Sequence, residues 1–265
     1  MKNTVITANP TLTTSSNNTS DASGIYKSTA TNTGEPTYYF RGNVENNYVS
    51  FAGQTWRIVR VNEDGTIRIV MQDGINSNAN IAFNFNNNNY TYMYYTNSEA
   101  KTQLESWYQT NIESKKDLAS SVASGNYYCE QAKAKYRDNF TSGSANMTTY
   151  NKYTPDFKCS SDGNGKGVVN ASVGLLSYDE VVYAGGYYNQ NNSNYYLNNP
   201  AIYWWTMSSA GLSGSTSIGW YVSTTGSIDY FNVRSTLRLR PVLNLNADTK
   251  ISDGDGTKEN PFVVE

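Results

Sequence analysis

The sequence predicts an α+β fold with twisted antiparallel sheets, two or three short helices and long loops. Three stretches carry this prediction. Apolar residues alternate around an Asp-Gly turn at Trp56–Met71, a helix-start signal stands at Ser177, and residues 203–245 are rich in strand formers. At 265 residues the chain is long enough to bury a sizeable core, in one large or two small domains.

The first 36 residues predict a linker or stalk. They are rich in Ser, Thr and Asn and show no apolar period. Such a run buries too little apolar surface to offset the entropy lost when it becomes ordered. We therefore expect the folded domain to span residues 37–265, with a plain disordered tail as the alternative interpretation of residues 1–36.

The clearest local signal is a β-hairpin around the turn Asn62–Gly65. Apolar residues alternate on both sides of this turn, at Trp56, Ile58, Val61, Ile67, Ile69 and Met71. Alternation on both sides of an Asp-Gly pair is typical of a hairpin. The same alternation predicts that Arg57, Arg60 and Arg68 lie on the more exposed face.

Two short helices are predicted in the middle of the chain. Asn97 or Ser98 caps the first one, and its apolar residues share one face, namely Ala100, Leu104, Trp107 and Tyr108. Residues 114–122 are expected to add a second short helix.

A third helix is predicted by a capping box. Ser177 and Glu180 have the Ser-x-x-Glu spacing in which each side chain bonds the backbone of the other residue. Apolar residues continue the helix, and Gly185 and Gly186 end it. Catalysis by Asp179 and Glu180 is the alternative, but acidic residues at a helix start are explained by the helix dipole.

The two cysteines, Cys129 and Cys159, fall in a long insertion predicted at about residues 113–172. A zinc site would need ligands that the chain lacks, because it contains no histidine. Two buried free thiols are the simple alternative. We favour a structural disulfide, because the low charge and the abundant Asn, Ser, Thr and Tyr are typical of exported proteins.

The predicted disulfide favours an extracellular or bacterial cell-surface location. Residues 1–36 contain no apolar stretch of the kind found in signal peptides, which leaves two interpretations: a protein soluble in the cytoplasm, or one whose export or anchor segment has been removed upstream. The predicted disulfide favours the second interpretation. No apolar run approaches the roughly 18 residues that span a bilayer, and direct membrane insertion is not expected.

Composition also argues against several functions. Without histidine, neither a Ser–His–Asp nor a Cys–His arrangement can form, and we do not predict an enzyme. A net charge of −2 with no basic cluster argues against a nucleic-acid partner.

No cofactor is predicted, and calcium stays an alternative without a complete motif. Asp162–Gly167 imitates the first half of a calcium loop, but Lys166 stands where an oxygen ligand belongs and Val173 replaces the final Glu. Asp253 and Asp255, separated by glycine, are equally short of ligands. Both stretches are interpreted as glycine-rich turns.

The segment Tyr203–Leu245 predicts a scaffold around a display surface. Its apolar ends are the pair Trp204 and Trp205 and the stretch Leu239–Leu245. Between these ends, Trp220, Tyr221 and Val222 form an apolar anchor. Small and hydroxyl-bearing residues fill the space between. The candidate ligand contacts are Ser213, Ser215, Thr216, Ser217, Thr224, Thr225, Ser227, Asp229, Tyr230, Phe231, Asn232, Arg234 and Thr236.

Two loops rich in Asn and Tyr, residues 84–95 and 187–199, have two interpretations. They can form a binding surface that resembles an antibody paratope, in which Tyr side chains give rigid contact area and Asn side chains give adaptable hydrogen bonds. Alternatively they are simply polar loops of a protein with little charge.

Three landmarks in order resemble a known fold: the Trp56–Met71 hairpin, the stretch Leu175–Gly186 with its short capped helix, and Tyr203–Leu245 with its terminal Arg-Pro-Val-Leu strand. This order resembles the bacterial C-type-lectin-like fold, in the branch that contains formylglycine-generating-enzyme-like domains. It is similar to uncharacterised surface and pilin-like proteins. The resemblance covers about residues 38–264 and implies a C-type-lectin-like domain.

The resemblance does not carry over the known activities of the fold. The formylglycine-generating enzymes use a cysteine pair near the C-terminal strands, whereas both cysteines of this chain lie well upstream. The calcium-dependent sugar motifs of animal lectins, Glu-Pro-Asn or Gln-Pro-Asp with Trp-Asn-Asp, are also absent. A sugar site would have to work by aromatic stacking and amide hydrogen bonds.

The same fold is found in the variable proteins of diversity-generating retroelements. Apart from Trp220, residues 208–239 contain no Lys, Gln, Glu, Met or Trp, which a randomised Asn-type codon cannot encode. The resemblance therefore implies a cell-surface binding domain, adhesin- or receptor-like, that displays a variable surface around residues 209–236 to a protein or glycan ligand. The alternatives are a structural pilin-like or surface-assembly subunit, and an enzyme on a formylglycine-generating-enzyme-like scaffold.

Overall fold

The computed structural model describes residues 1–7, 9, 11–12, 22–124, 127–130, 155–159 and 167–265. Within these residues the fold is mixed α+β, built mostly from sheets with a few short helices, as predicted. The helices are α1 (Lys2–Thr7), α2 (Ile75–Asn78), α3 (Glu99–Tyr108), α4 (Lys116–Ser121) and α5 (Tyr178–Ala184), with 3₁₀ turns at Tyr90–Met93 and Tyr95–Asn97 and a π-helical turn at Gln109–Glu113.

Four sheets are formed by the described strands. The strands are β1 (Thr11–Leu12), β2 (Gly24–Ser28), β3 (Thr37–Arg41), β4 (Tyr48–Phe51), β5 (Gln54–Val61), β6 (Ile67–Met71), β7 (Ile81–Ala82), β8 (Tyr127–Cys129), β9 (Val168–Asn170), β10 (Tyr187–Tyr188), β11 (Trp204–Ser213), β12 (Thr216–Val222), β13 (Ser227–Asn232), β14 (Thr236–Leu237), β15 (Val242–Leu245), β16 (Ile251–Asp253) and β17 (Phe262–Val264). A nine-stranded large sheet and a four-stranded small sheet contain most of them, and β7–β14 and β8–β9 form two-stranded pairs.

The predicted hairpin forms the centre of the large sheet. Strands β5 and β6 pair antiparallel with Trp56 opposite Met71 and Ile58 opposite Ile69. Strand β15 then pairs with β6, so the end of the Tyr203–Leu245 segment joins the hairpin. The remaining strands of the large sheet follow the order β1-β2-β3-β5-β4-β17-β16. The C-terminal strand β17 therefore lies beside β4.

The three predicted helices are confirmed. The Ser98 side chain accepts a hydrogen bond from the Lys101 N–H and starts α3, whose buried residues are the predicted Ala100, Leu104, Trp107 and Tyr108. Helix α4 lies within the predicted residues 114–122. Helix α5 begins with both bonds of the capping box, between Ser177 and Glu180, and ends at Gly185. None of the described helices combines the length and apolar character that a membrane crossing requires.

Helix α5 links the two main sheets. It contacts β3 of the large sheet and β11 of the small sheet. The Tyr178 N–H donates to the Ser208 hydroxyl on β11 at 2.9 Å. On its other side the Glu180 carboxylate accepts hydrogen bonds from Arg68 at 2.7 Å and Arg60 at 3.3 Å, both in the hairpin. The helix therefore fixes where the small sheet sits against the hairpin.

The hairpin arginines correct one prediction. Arg57, Arg60 and Arg68 are all buried, although alternation predicted an exposed face. The reason is that distant segments cover this face and supply acceptors. Arg57 donates to the Asn47 side chain and the Val44 carbonyl, both at 2.7 Å. The two other arginines share the carboxylate of α5 described above.

The predicted linker is wrong for part of its length. Strand β2 pairs with β3 along all five of its residues, from Gly24 opposite Arg41 to Ser28 opposite Thr37. Ile25 is fully buried there, and Val5 of α1 is also in the core. These apolar side chains gain enough from burial to order a region whose composition is otherwise polar. Residues 8, 10 and 13–21 lie outside the described residues.

The predicted disulfide between Cys129 and Cys159 is present, with the two Cα atoms 5.1 Å apart. It joins β8 to a short segment that packs on the rest of the domain. In that segment Phe157 stacks on Tyr183 of α5, with ring centroids 4.1 Å apart. Most of the predicted calcium-like turn, residues 162–166, lies outside the described residues.

Candidate functional site

The small sheet contains the segment that the sequence singles out, in the strand order β10-β13-β12-β11. Strands β11, β12 and β13 are antiparallel, and β10 adds to β13 in parallel. Side chains along a strand alternate between the two faces of a sheet. The register therefore assigns each residue of the sheet to an inner or an outer face.

The inner face belongs to the core. Trp220 lies directly opposite Tyr230, and Trp204 lies opposite Val222. The Trp220 side chain is 1% exposed and contacts the rings of Tyr178 and Tyr230, at centroid distances of 4.8 and 5.8 Å. These contacts confirm that Trp220 is a structural anchor, and Trp204, also 1% exposed, belongs to the core as predicted.

The outer face carries a row of partly exposed rings. Tyr203, Tyr221 and Phe231 form this outer aromatic row, with centroid distances of 6.1 Å between the two tyrosines and 5.9 Å from Tyr221 to Phe231. Tyr203 is 47% exposed and Phe231 is 50% exposed. Such distances lie within the range for favourable aromatic pairs, so the rings stabilise one another's positions.

Trp205 forms the base of the row and is fully buried. Its ring meets Tyr221 edge-on at 6.3 Å and Phe83 at 5.8 Å, and its Nε1–H donates to the Ile81 carbonyl at 3.3 Å. Gly219 lies against this ring, since a Cβ there would be in van der Waals contact with it at 3.4 Å. The outer aromatic row thus rests on a rigid support.

One carboxylate stands beside the rings. Asp229 is directly opposite Tyr221 in the β12–β13 register, on the same face. One of its oxygens accepts the Tyr230 N–H at 2.8 Å. Burial raises the pKa of Tyr221, and the charge of Asp229 and the neighbouring Tyr203 raise it further. No described Lys or Arg forms an ion pair with Asp229.

The thirteen predicted contact residues do not converge on one site. Six are exposed: Ser213, Ser215, Thr225, Phe231, Arg234 and Thr236. Thr216, Thr224, Asp229, Tyr230 and Asn232 are half-buried, and Ser217 and Ser227 are buried. Four of them occupy strand positions of the face that carries the outer aromatic row, namely Ser217, Ser227, Asp229 and Phe231, and of these only Asp229 and Phe231 are not buried. The others are divided among the β11–β12 turn, the β12–β13 turn, the inner face and the segment after β13.

The burial of Ser217 and Ser227 corrects two of these predictions. Ser217 is fully buried, and its hydroxyl donates to the Asn89 carbonyl while its N–H donates to the Asn87 carbonyl. The Ser227 hydroxyl donates to the Ile228 carbonyl at 3.3 Å. Both serines hold backbone and offer little surface to a ligand.

Two residues of the candidate site were missed by sequence reasoning. Tyr203 only begins the predicted display segment, just before its apolar end at Trp204, and Tyr221 belongs with Trp220 to the predicted apolar anchor. A signal was available, because adjacent residues of a strand face opposite sides. If Trp220 faces the core, Tyr221 must face outward, together with Asp229 and Phe231.

The two loops rich in Asn and Tyr brace opposite ends of the small sheet. In the first loop, the Asn84 N–H donates to the Val233 carbonyl at 2.9 Å, and Phe85 beside it is 64% exposed. In the second, the Asn191 side chain accepts from the Thr225 hydroxyl at 2.8 Å, and the Tyr195 hydroxyl donates to the Gly226 carbonyl at 3.0 Å. Some of the polar residues in these loops therefore serve to hold the loops against the small sheet.

A separate polar cavity lies at the far end of the hairpin, opposite its turn, where β5 begins and β6 ends. Its volume is about 370 Å³, and it is lined by Gln54, Met71, Asp73, Gly74, Ile75, Asn76, Ser77, Asn78, Trp107 and Asn111. Asn76, Ser77 and Asn78 all have left-handed backbone angles, with φ between 52° and 62°. This conformation is uncommon for residues other than glycine. The cavity is the main alternative to the outer aromatic row as a binding site.

The carboxylates that were considered for chemistry have structural partners. Glu180 is bonded to Arg68 and to its own helix start. The Asp255 carboxylate accepts from the backbone N–H and the hydroxyl of Thr257, and these bonds lower its pKa. Across the described residues, no three Asp, Glu or Cys side chains are grouped closely enough to hold a metal ion.

No protein-family model, curated protein or solved structure matches the chain. The functional argument therefore depends on the geometry of the small sheet.

Proposed function

We propose that the chain is an adhesin- or receptor-like binding domain of the bacterial cell surface, and that the outer face of its small sheet contacts a protein or glycan ligand. The observation that carries this proposal is the outer aromatic row, whose end members are about half exposed. Large contiguous apolar patches are uncommon on soluble proteins unless they bind something. Aromatic side chains on a rigid base also lose little entropy when they bind.

A C-type-lectin-like fold is part of the proposal. It is supported by the order of the three landmarks, since the hairpin, the capped helix α5 and the tryptophan-rich strands all form as elements in that order. Helix α5 connects the first landmark to the third. The disulfide supports an exported location, because such bonds persist in oxidising compartments.

Diversification by a retroelement is the finer part of the proposal. Three residues on the outer face are of types that a randomised Asn-type codon encodes, namely Tyr221, Asp229 and Phe231. Trp220, which that codon cannot encode, is buried on the inner face. Sequencing the segment for residues 203–245 across a natural population tests this idea. Variation that starts from adenines and spares Trp220 supports it, and variation no greater than in the hairpin refutes it.

Binding is tested by panning the immobilised chain against displayed random twelve-residue peptides and against a printed glycan array. We compare the wild type with the double variant Tyr221→Ala/Phe231→Ala. Val263→Ala is the matched control, because Val263 is an exposed apolar residue on β17, outside the small sheet. The proposal expects probes that the wild type and control retain and the double variant loses. Retention that is equal for all three proteins contradicts it.

A further inference from the structure

The buried arginines of the hairpin share one environment, which consists of an aromatic ring and an oxygen acceptor. Each buried guanidinium of the hairpin lies over an aromatic ring, at 3.8 Å for Arg57 on Tyr48, 4.7 Å for Arg60 on Phe157 and 4.9 Å for Arg68 on Tyr128. Each also donates to an oxygen: the Asn47 amide for Arg57, and the Glu180 carboxylate for Arg60 and Arg68. A ring and an oxygen together replace the water that a buried cation loses.

Arg240 repeats the pattern in the small sheet's neighbourhood. Its guanidinium lies 4.8 Å from the Trp204 ring and donates to the carbonyls of Met71 and Leu197, both at 2.9 Å. Burial nevertheless lowers the pKa of Arg240 to about 10. Where the oxygens are neutral carbonyls, the cation is less well stabilised than beside a carboxylate.

The outer face presents the same two components without a cation. Tyr221 and Phe231 supply rings, and Asp229, directly opposite Tyr221, supplies a carboxylate. Asp229 forms one hydrogen bond, to the Tyr230 N–H, and no described Lys or Arg pairs with it. A half-buried carboxylate beside aromatic rings is therefore open to a positively charged group from outside.

We propose that this face receives the guanidinium of an arginine side chain from a protein partner. The inference rests on the proposed function, and it names the ligand chemistry at the same site. Arginine fits better than lysine, because its planar group can stack on a ring while it donates to a carboxylate. A neutral glycan supplies no cation for Asp229, so the charge favours a protein partner.

The spacing of the row is suitable for this contact. A cation is attracted to a ring when it lies within roughly 6 Å of the centroid. Tyr221 is 5.9 Å from Phe231 and 6.1 Å from Tyr203, so a guanidinium over Tyr221 also lies near a second ring. Removal of the carboxylate charge should weaken such a contact by roughly tenfold, as expected for a hydrogen bond between charged groups.

The test sequences the twelve-residue peptides retained by the wild type and compares them with the input library. The inference expects enrichment of arginine above lysine. Synthetic copies of the enriched peptides are then titrated against the wild type and Asp229→Asn, and each arginine is replaced by citrulline, a neutral isostere. We expect roughly tenfold weaker binding from either change. Asn keeps the oxygen that accepts the Tyr230 N–H, so the fold should be unaffected, as a melting curve can verify.

Asp253→Asn is the matched control, because Asp253 is an exposed carboxylate on β16, outside the small sheet. Binding that weakens equally in both Asn variants contradicts the inference, since that indicates a general charge effect. Peptides that depend on Tyr221 and Phe231 but show no arginine enrichment also overturn it, while the proposed function stands. Peptides that do not depend on these rings overturn both.

Discussion

The junction at α5 and the outer face of the small sheet use the same kinds of side chain in opposite ways. At the junction, Glu180 is fully enclosed and bonds two arginines that themselves lie over rings. On the outer face, Asp229 stands beside two rings with no cation from the described residues. The first arrangement is complete within the chain, whereas the described part of the chain supplies no cation to the second.

The difference indicates where each region contributes. A buried carboxylate with paired cations fixes the position of helix α5, because any other arrangement would leave charges buried without partners. A carboxylate that no described Lys or Arg pairs with, next to partly exposed rings, adds little to stability and remains available to a ligand. Substitutions at the junction should therefore lower stability, and substitutions on the outer face should lower binding.

The sharpest contrast is between two adjacent residues of β12. Trp220→Ala should lower the free energy of unfolding by about 3–5 kcal/mol, because it removes a buried ring from the core. Tyr221→Ala should cost about 1 kcal/mol, since its ring is half exposed. Urea unfolding of both variants measures the difference. Equal losses would show that the two faces of the strand are not distinct.

Loss of the disulfide should have the next largest effect. The bond between Cys129 and Cys159 closes a loop with a sequence separation of 30. The double variant Cys129→Ser/Cys159→Ser should be about 3–4 kcal/mol less stable in the chain-entropy model. Reductant should lower the stability of the wild type and leave the double variant unchanged. If reductant has no effect on the wild type, the bond does not stabilise the fold.

Glu180→Gln tests the junction itself. It keeps the shape of the side chain but removes the charge that Arg60 and Arg68 share, and it should cost about 1.5–3 kcal/mol. Asp229→Asn makes the same chemical change on the outer face and should cost less than about 0.5 kcal/mol. Thermal unfolding of both variants gives the comparison. A larger loss of stability for Asp229→Asn than for Glu180→Gln would contradict the assignment of stability to the junction and of binding to the outer face.

The junction also predicts the response to acid. Burial raises the pKa of the Glu180 carboxyl, but Arg68, Arg60 and the Ser177 N–H outweigh this and lower it overall. A lowered folded pKa adds stability above the unfolded value of about 4.3, and this stability is lost as the pH falls through the folded pKa. The wild type should therefore lose more stability than Glu180→Gln between about pH 5 and pH 2. Parallel pH profiles would contradict this.

Much of the fold could be predicted, because its signals are local. The Asp-Gly turn, the Ser98 cap and the Ser177–Glu180 capping box each depend on a few neighbouring residues, and all three form. The burial of the hairpin arginines could not be predicted in this way. Their partners are distant in sequence, since Glu180 lies 112 positions after Arg68 in the chain.

The candidate site was only partly predictable. Its segment was identified, and Asp229 and Phe231 were named, but composition alone gave Ser217 the same weight as Phe231. Burial decides between them, because the distant loop at Asn87–Asn89 covers Ser217, whereas Phe231 is half exposed. The outward position of Tyr221 could have been predicted, because it follows Trp220 in the strand and successive side chains face opposite sides.

The most direct test of the central claim is to map a bound probe onto the backbone by NMR, with a peptide or glycan that the wild type retains. The account predicts chemical-shift changes at Tyr203, Tyr221, Asp229 and Phe231, with little change elsewhere. Changes grouped instead around the polar cavity, at residues 73–78 and Trp107, would contradict it and would assign binding to the far end of the hairpin.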